Sequence, residues 1–214
     1  MIGLKGLIHR ISLVLVLGTT IVSAASCRSA RGGSAPAIVQ PGAPGQAERQ
    51  DAADMQFMQG MIGHHAQALE MTALLRSRTR SEDMKKLAER IEVSQEDEIR
   101  MMREWLGERG QKQPDPHAHH AAGARLMPGM LTPQEMARLA AAEGPAFDRL
   151  FLEYMIKHHE GALTMVKELF ATPGAGQESE IFAFASDVDA DQRMEIDRMA
   201  AMLASLTTSK ERSR

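Results

Sequence analysis

Residues 57–71 read FMQGMIGHHAQALEM and residues 151–165 read FLEYMIKHHEGALTM, a near-repetition that constrains the fold more than any other feature of the chain. Asp54, Phe57, Met61, Ile62, His64, His65, Ala68, Leu69 and Met71 recur as Asp148, Phe151, Met155, Ile156, His158, His159, Ala162, Leu163 and Met165, each 94 residues further on. A second register follows, in which Gln95, Glu98, Ile99, Met102 and Leu106 recur 97 residues on as Gln192, Glu195, Ile196, Met199 and Leu203. The extra residues fit the Pro/Gly turn at 172–176. Within each copy the apolar residues return at three- and four-residue steps, the period of one buried helix face. The pattern predicts two helix hairpins related by a pseudo-two-fold axis, with both histidine pairs in one shared interior.

Local signals bound the helices. Ser81 followed by charged residues opens a second helix that carries Met84, Leu87, Ile91, Ile99, Met102 and Leu106 inward, and Gly107 and Gly110 help to close it. The stretch QKQPDPHAHHAAGARLMPGML at 111–131 is too rich in proline and glycine to be one regular element. Thr132 as cap, Pro133 at the first helical position and Glu135 in the first turn predict a short helix to about Ala142. Pro145 restarts the chain as a third long helix that ends before 172–176, and a fourth runs from about Glu178 to Leu206, leaving 207–214 as a polar tail. Strand signals are absent. An all-α, four-helix up-and-down bundle over residues 51–206 is the architecture this predicts.

The first residues read differently. Lys5 and Arg10 precede an apolar run from Ile11 to Leu17 and then small residues, the layout of a secretory signal over 1–26. The run is too short for a good membrane span, which needs about 20 apolar residues. Cys27, the only cysteine, follows Ala24, Ala25 and Ser26 and resembles a bacterial lipoprotein processing site, which makes it a candidate for lipidation and membrane anchoring. That pattern favours leucine where Ala24 stands, so ordinary signal-peptidase cleavage stays open. Residues 27–50, rich in Gly, Pro, Ala and Ser, read as a flexible tether. With a formal net charge of −3 the chain lacks the electrostatic footprint of a nucleic-acid binder.

The repeats carry the chemistry. Residues three, four and seven apart share a helix face, so Met61, His64, His65, Ala68 and Met71 form one stripe and Met155, His158, His159, Ala162 and Met165 its counterpart. Neighbouring residues on a helix differ by about 100° in direction, so one histidine of each pair should point inward while the other sits at the seam. On the second helices Gln95, Glu98 and Met102, and likewise Gln192, Glu195 and Met199, align, and Glu98 and Glu195 can accept a hydrogen bond from the far nitrogen of a ligating histidine. Imidazole with thioether selects soft ions, Cu(I) above all, with Cu(II) next. The expected metal ligands are therefore His64, His65, His158 and His159 with Met61, Met71, Met155 and Met165, and the outer shell is Glu98, Glu195, Met102 and Met199. Methionine is also a plain core filler, and Met84, Met136 and Met202 are read that way. His117, His119 and His120 lie in a polar linker and read as a solvated tract able to assist metal capture.

The two histidine motifs together with MPGMLTPQEM at 127–136 closely resemble the bacterial family known as domain of unknown function 305, over roughly residues 51–206. The resemblance implies a ferritin-like helical bundle and copper binding, since the family includes an extracytoplasmic copper-resistance protein. Sequestration or delivery of copper follows as the expected role, with the delivery partner and self-association left open. Two alternatives stand beside it. A di-metal oxidase would place Glu three residues before a ligating histidine, but Met61, Ile62, Met155 and Ile156 occupy those positions. A helical interaction module of the cell envelope would treat the histidines as packing. No nucleophile-and-base arrangement or phosphate loop argues for an enzyme.

Overall fold

The computed structural model describes residues 44–121 and 123–212. Five α-helices, and no strand among the described residues, make up the protein: α1 (Pro44–Arg78), α2 (Glu82–Glu108), α3 (Pro133–Ala141), α4 (Gly144–Ala171) and α5 (Ser179–Arg212). The signal segment and Cys27 lie outside the described residues. No described helix is long and apolar enough to cross a membrane.

Each boundary has a local cause. The Ser81 hydroxyl accepts from the Met84 N–H at the start of α2, and Thr132 and Glu135 form a reciprocal capping box at α3. Two boundaries differ from the sequence reading. The first helix begins at Pro44, inside the expected tether, because GQAERQ is composed largely of helix-forming residues behind a proline at the first position. Gln50 in this extension packs its side chain against Gly174. At the other end α5 continues through the expected polar tail to Arg212. Nothing in LTTSKER breaks a helix, and the Thr207 and Thr208 hydroxyls bond back to Leu203 O and Ala204 O.

Helices α1 and α2 pack as one hairpin, α4 and α5 as the other, and α1 meets α4 between them. The repeat is visible in how the hairpins hold each other. Asp54, at the head of the first copy, accepts from the Gly176 N–H in the turn of the second hairpin (2.7 Å). Its counterpart Asp148 is hydrogen-bonded by Thr79 in the turn of the first. Both aspartates are buried.

Two apolar clusters fill the interior. One joins Phe57, Met61, Ile62, Met102, Met165, Val166 and Phe184; the other joins Met71, Leu75, Met84, Ile91, Phe151, Met155 and Met199. Along every long helix the residues of one cluster precede those of the other, and between them sit His64 and His65, Gln95 and Glu98, His158 and His159, or Gln192 and Glu195, all buried. The interior is thus two apolar cores separated by a polar layer.

The linker from α2 to α3 closes over this layer. Gln67 on α1 holds it from both sides, donating to Leu131 O (3.0 Å) and accepting from Leu131 N (2.7 Å). Against α4 the chain comes closer still, since a Cβ placed on Gly161 would stand 2.0 Å from the Pro128 carbonyl oxygen. Gly129, with φ at +76°, completes the contact. Backbone on both sides leaves a methyl group no room, so Gly161→Ala should destabilise the protein by about 1–3 kcal/mol despite alanine's better helix propensity. Gly107→Ala, whose nearest neighbour would be 3.9 Å away, should be neutral or slightly stabilising. Urea unfolding of the two variants checks both.

Candidate metal centre

The four repeat histidines are at most 1% exposed. His64 on α1 and His158 on α4 face each other across the hairpin interface with ring centroids 3.9 Å apart. Their neighbours turn away toward the second helix of their own hairpin. The His65 Nε2–H donates to Glu98 Oε2 on α2, and the His159 Nε2–H donates to Glu195 Oε2 on α5 (2.6 Å). The inward-and-seam division expected of adjacent histidines is therefore present in both copies, with every ring buried.

Hydrogen bonding fixes the tautomers. A carbonyl oxygen only accepts, so His64, bonded to Pro128 O at 3.0 Å, carries its proton on Nε2. The carboxylate partners of His65 and His159 impose the same choice. Nδ1 of His64, His65 and His159 is left as a lone pair with no partner, and Nε2 of His158 is also unpartnered. In the same layer both side-chain polar atoms of Gln95 and the Gln192 Nε2 lack partners. A buried unsatisfied polar group costs about 1–3 kcal/mol. Several in one layer are the mark of a site built for something other than stability.

Burial also keeps two of the rings neutral. Desolvation, reinforced by the charges of His65, His159 and His119 and opposed by the Pro128 bond, pushes His64 down to about 3. Desolvation together with its histidine neighbours lowers His158 well below the ordinary value. Neutral imidazole is the metal-binding form, so these two need shed no proton near neutral pH.

The expected methionines are all buried. Met61, Met102 and Met165 belong to the cluster on one side of the layer, Met71, Met155 and Met199 to the cluster on the other, an arrangement that the repeat maps onto itself. A groove of about 730 Å³ between α2 and α5 reaches the layer at Glu98 and is lined also by Asp97, Asp187, Asp191, Met101 and Met194. Asp191 is raised above the usual carboxylate range by burial and by the charges of Glu98, Glu195 and Asp187.

One expectation changes. Three donors gathered within 4.8 Å of one another occur, among the described residues, at Glu70, His117 and His120, not at the buried histidines. The rings of His64 and His158 meet at an angle of 37°, while His65 and His159 turn to Glu98 and Glu195. The linker histidines read as a solvated tract are organised around Glu70. Glu70 was missed because it has no counterpart in the second copy, where Thr164 stands, and because some 50 residues separate it from the linker.

Fold and site together define an all-helical protein whose two helix hairpins enclose a buried layer of imidazoles braced by carboxylates. The chain matches the family model described as Domain of unknown function (DUF305) over residues 54–203, and it belongs to that family. A DUF305 protein from Streptomyces coelicolor shares 30% identity over 72% of this chain and 94% of its own, with a TM-score of 0.63. CopM in its Cu(I)-bound form is 27% identical, covering 71% of this chain and 96% of CopM, with a TM-score of 0.56; the Cu(II)-bound form gives 26% and 0.60 with the same coverage. A 56-residue stretch is 41% identical to Uncharacterized protein L153 of Acanthamoeba polyphaga mimivirus, spanning 26% of this chain and 37% of that relative.

The neutral rings set a pH dependence. A histidine whose folded pKa is depressed contributes stability that is complete above its unfolded value near 6.5 and is lost as pH falls toward the folded value. Metal-free protein should therefore lose stability as pH drops below about 6.5, the loss from His64 continuing to about 3. The buried carboxyls of Asp54 and Asp148, raised by desolvation, act in the opposite direction at lower pH. Urea midpoints measured between pH 7.5 and 4 should flatten when His64 and His158 are both replaced by glutamine.

Proposed function

We propose that this protein binds copper in the buried imidazole layer and sequesters it or passes it on outside the cytoplasm. The observation that carries the reading is the set of four buried histidine nitrogens without partners, three of them lone pairs whose rings are fixed by Nε2–H bonds to Glu98, Glu195 and the Pro128 carbonyl. A carboxylate on the far N–H orients an imidazole and makes it a stronger donor. Methionine clusters on both faces of the layer bias the site toward Cu(I). CopM, a relative of this chain, has been solved with Cu(I), with Cu(II) and with silver, which is consistent with that donor preference.

In this reading the four long helices form a ferritin-like four-helix bundle in which each hairpin supplies half of the ligands. His64, His65, His158 and His159 are the primary donors, Met61, Met71, Met155 and Met165 the soft co-ligands, and Glu98 and Glu195 with Met102 and Met199 the surrounding shell. The ion enters by the groove between α2 and α5, whose carboxylates raise the local cation concentration. The nitrogens close on it, and satisfying them offsets the strain of burying them alone. In this reading the protein binds the ion without turning over a substrate, the repeats having no Glu three residues before a histidine as a di-metal oxidase would. The apolar leader and Cys27, together with a Streptomyces coelicolor relative described as secreted, support a lipid-anchored location in the cell envelope. The mass of the mature N-terminal peptide from the membrane fraction tests the anchor.

A Cu(I) competition titration tests the shared site. Replacing His64 and His65 by alanine, or His158 and His159, should each abolish most tight binding, and the fourfold variant should lose little more, because the residues act on one ion. Half the stoichiometry at unchanged affinity in each double variant would instead mean two independent sites. Glu98→Gln should weaken binding about 10–100-fold. Replacing Met61 and Met155 by leucine should weaken Cu(I) while sparing the fold, at a cost below about 1.5 kcal/mol.

A further inference from the structure

We infer that Glu70, His117, His119 and His120 form a second metal site, at the surface, for a divalent first-row transition ion and for Cu(II) most tightly. The site is separate from the buried layer, and the inference does not depend on copper binding there. It is assembled from two parts of the chain. The linker winds one 3₁₀ turn over Ala118–His120, anchored by the Asp115 carboxylate on the His117 N–H (2.9 Å). Residues three apart eclipse in a 3₁₀ helix, so His117 and His120 project to the same side, with rings 5.9 Å apart and within 22° of parallel. The turn packs against α1, where Glu70 meets all three imidazoles.

The geometry asks for a cation. His117 Nδ1 and His120 Nε2 each lie 2.8 Å from the same carboxylate oxygen, Glu70 Oε1, and the three atoms fall within 4.8 Å of one another. His119 poses a proton-counting problem. Its Nδ1 sits 3.1 Å from Pro116 O and its Nε2 3.5 Å from Glu70 Oε2, two acceptors for a ring that carries one proton when neutral. Its side chain is only 5% exposed, while the rings of His117 and His120 are 4.2 to 6.3 Å from it or from each other. A divalent ion held between neutral imidazoles and the carboxylate resolves the conflict, because it supplies the charge and takes the lone pairs.

The donor set fixes the class of ion. Imidazole nitrogen with carboxylate oxygen, and no thioether, is borderline to hard, and within the first row such a set holds Cu(II) most tightly. More than half of the His117 and His120 side chains faces solvent, which leaves coordination positions open to water and to exchange. Six residues of α1 separate Glu70 from His64, about 9 Å of helix.

Cu(II) added in air to the purified protein, with nitrilotriacetate as competitor and electron paramagnetic resonance as readout, tests the site. The wild type should show one equivalent with nitrogen hyperfine structure. That equivalent should be lost or weakened at least tenfold when Glu70→Gln, His117→Ala and His120→Ala are combined, and kept in a variant carrying His64→Gln and His158→Gln. The conservative single change His120→Gln, at an exposed ring, should by itself weaken it severalfold with the thermal midpoint unchanged. Equal stoichiometry and affinity in the triple variant, or in the His120→Gln variant, would overturn the inference. Loss of Cu(I) binding at the layer with this equivalent intact would count against the proposed function alone.

Discussion

The four long helices are packed around four buried imidazoles. Stripped of water, such rings are costly unless each N–H finds an acceptor, and here Glu98, Glu195 and the Pro128 carbonyl meet that need for three of them. The bonds come from the second helix of each hairpin and from the linker, so satisfying the histidines also locks α2 to α1, α5 to α4 and the linker to α1. The apolar clusters on either side supply the burial that sets this layer in place. Most of the buried polar atoms left without a partner lie in this layer, on the four histidines and on Gln95 and Gln192.

Residues matched at a constant offset in the sequence supply the layer from both hairpins, and the linker makes the two sides unequal. Asp54 and Asp148, Glu98 and Glu195, and the two methionine groups obey the symmetry. The MPGML segment has no second copy, and where it crosses the layer the repeats diverge: Gln67 on α1 grips Leu131, while the matching Gly161 on α4 gives the backbone room to pass. His64 bonds the Pro128 carbonyl of the linker, while His158 is hydrogen-bonded to the His64 backbone. Each ring is held through one nitrogen and leaves the other without a partner, Nδ1 on His64 and Nε2 on His158.

Much of this was legible in the chain. Matched spacing in two registers gave the hairpin pairing, because a repeat of buried positions must bury against its own counterpart. The His65–Glu98 and His159–Glu195 bonds follow from stripes on adjacent helices. Ser81 and Thr132 marked their helix starts through capping bonds to residues three further on, and Pro145 marked its own through a fixed φ that suits the first turn. The reading failed where contacts were long in sequence and unrepeated. Glu70 is an ordinary helix-surface glutamate until a linker some 50 residues away folds onto it, and nothing in PDPHAHH says which helix it will meet. The ends of α1 and α5 were missed for a different reason: alanine, glutamine and glutamate among prolines and glycines look like a tether, yet their propensity, with Gln50 packed on Gly174, suffices to extend a helix already nucleated.

The central claim is that the hairpins meet in order to hold one metal ion between them. Anomalous diffraction at the copper edge, from crystals of the protein loaded with one equivalent of Cu(I) under reducing conditions, addresses it most directly. The account predicts one dominant anomalous peak inside the layer, with nitrogen ligands from both α1 and α4 and with His65 and His159 still bonded to Glu98 and Glu195. A peak ligated by one hairpin alone, or copper found only on the surface while the layer keeps its metal-free arrangement, would contradict it.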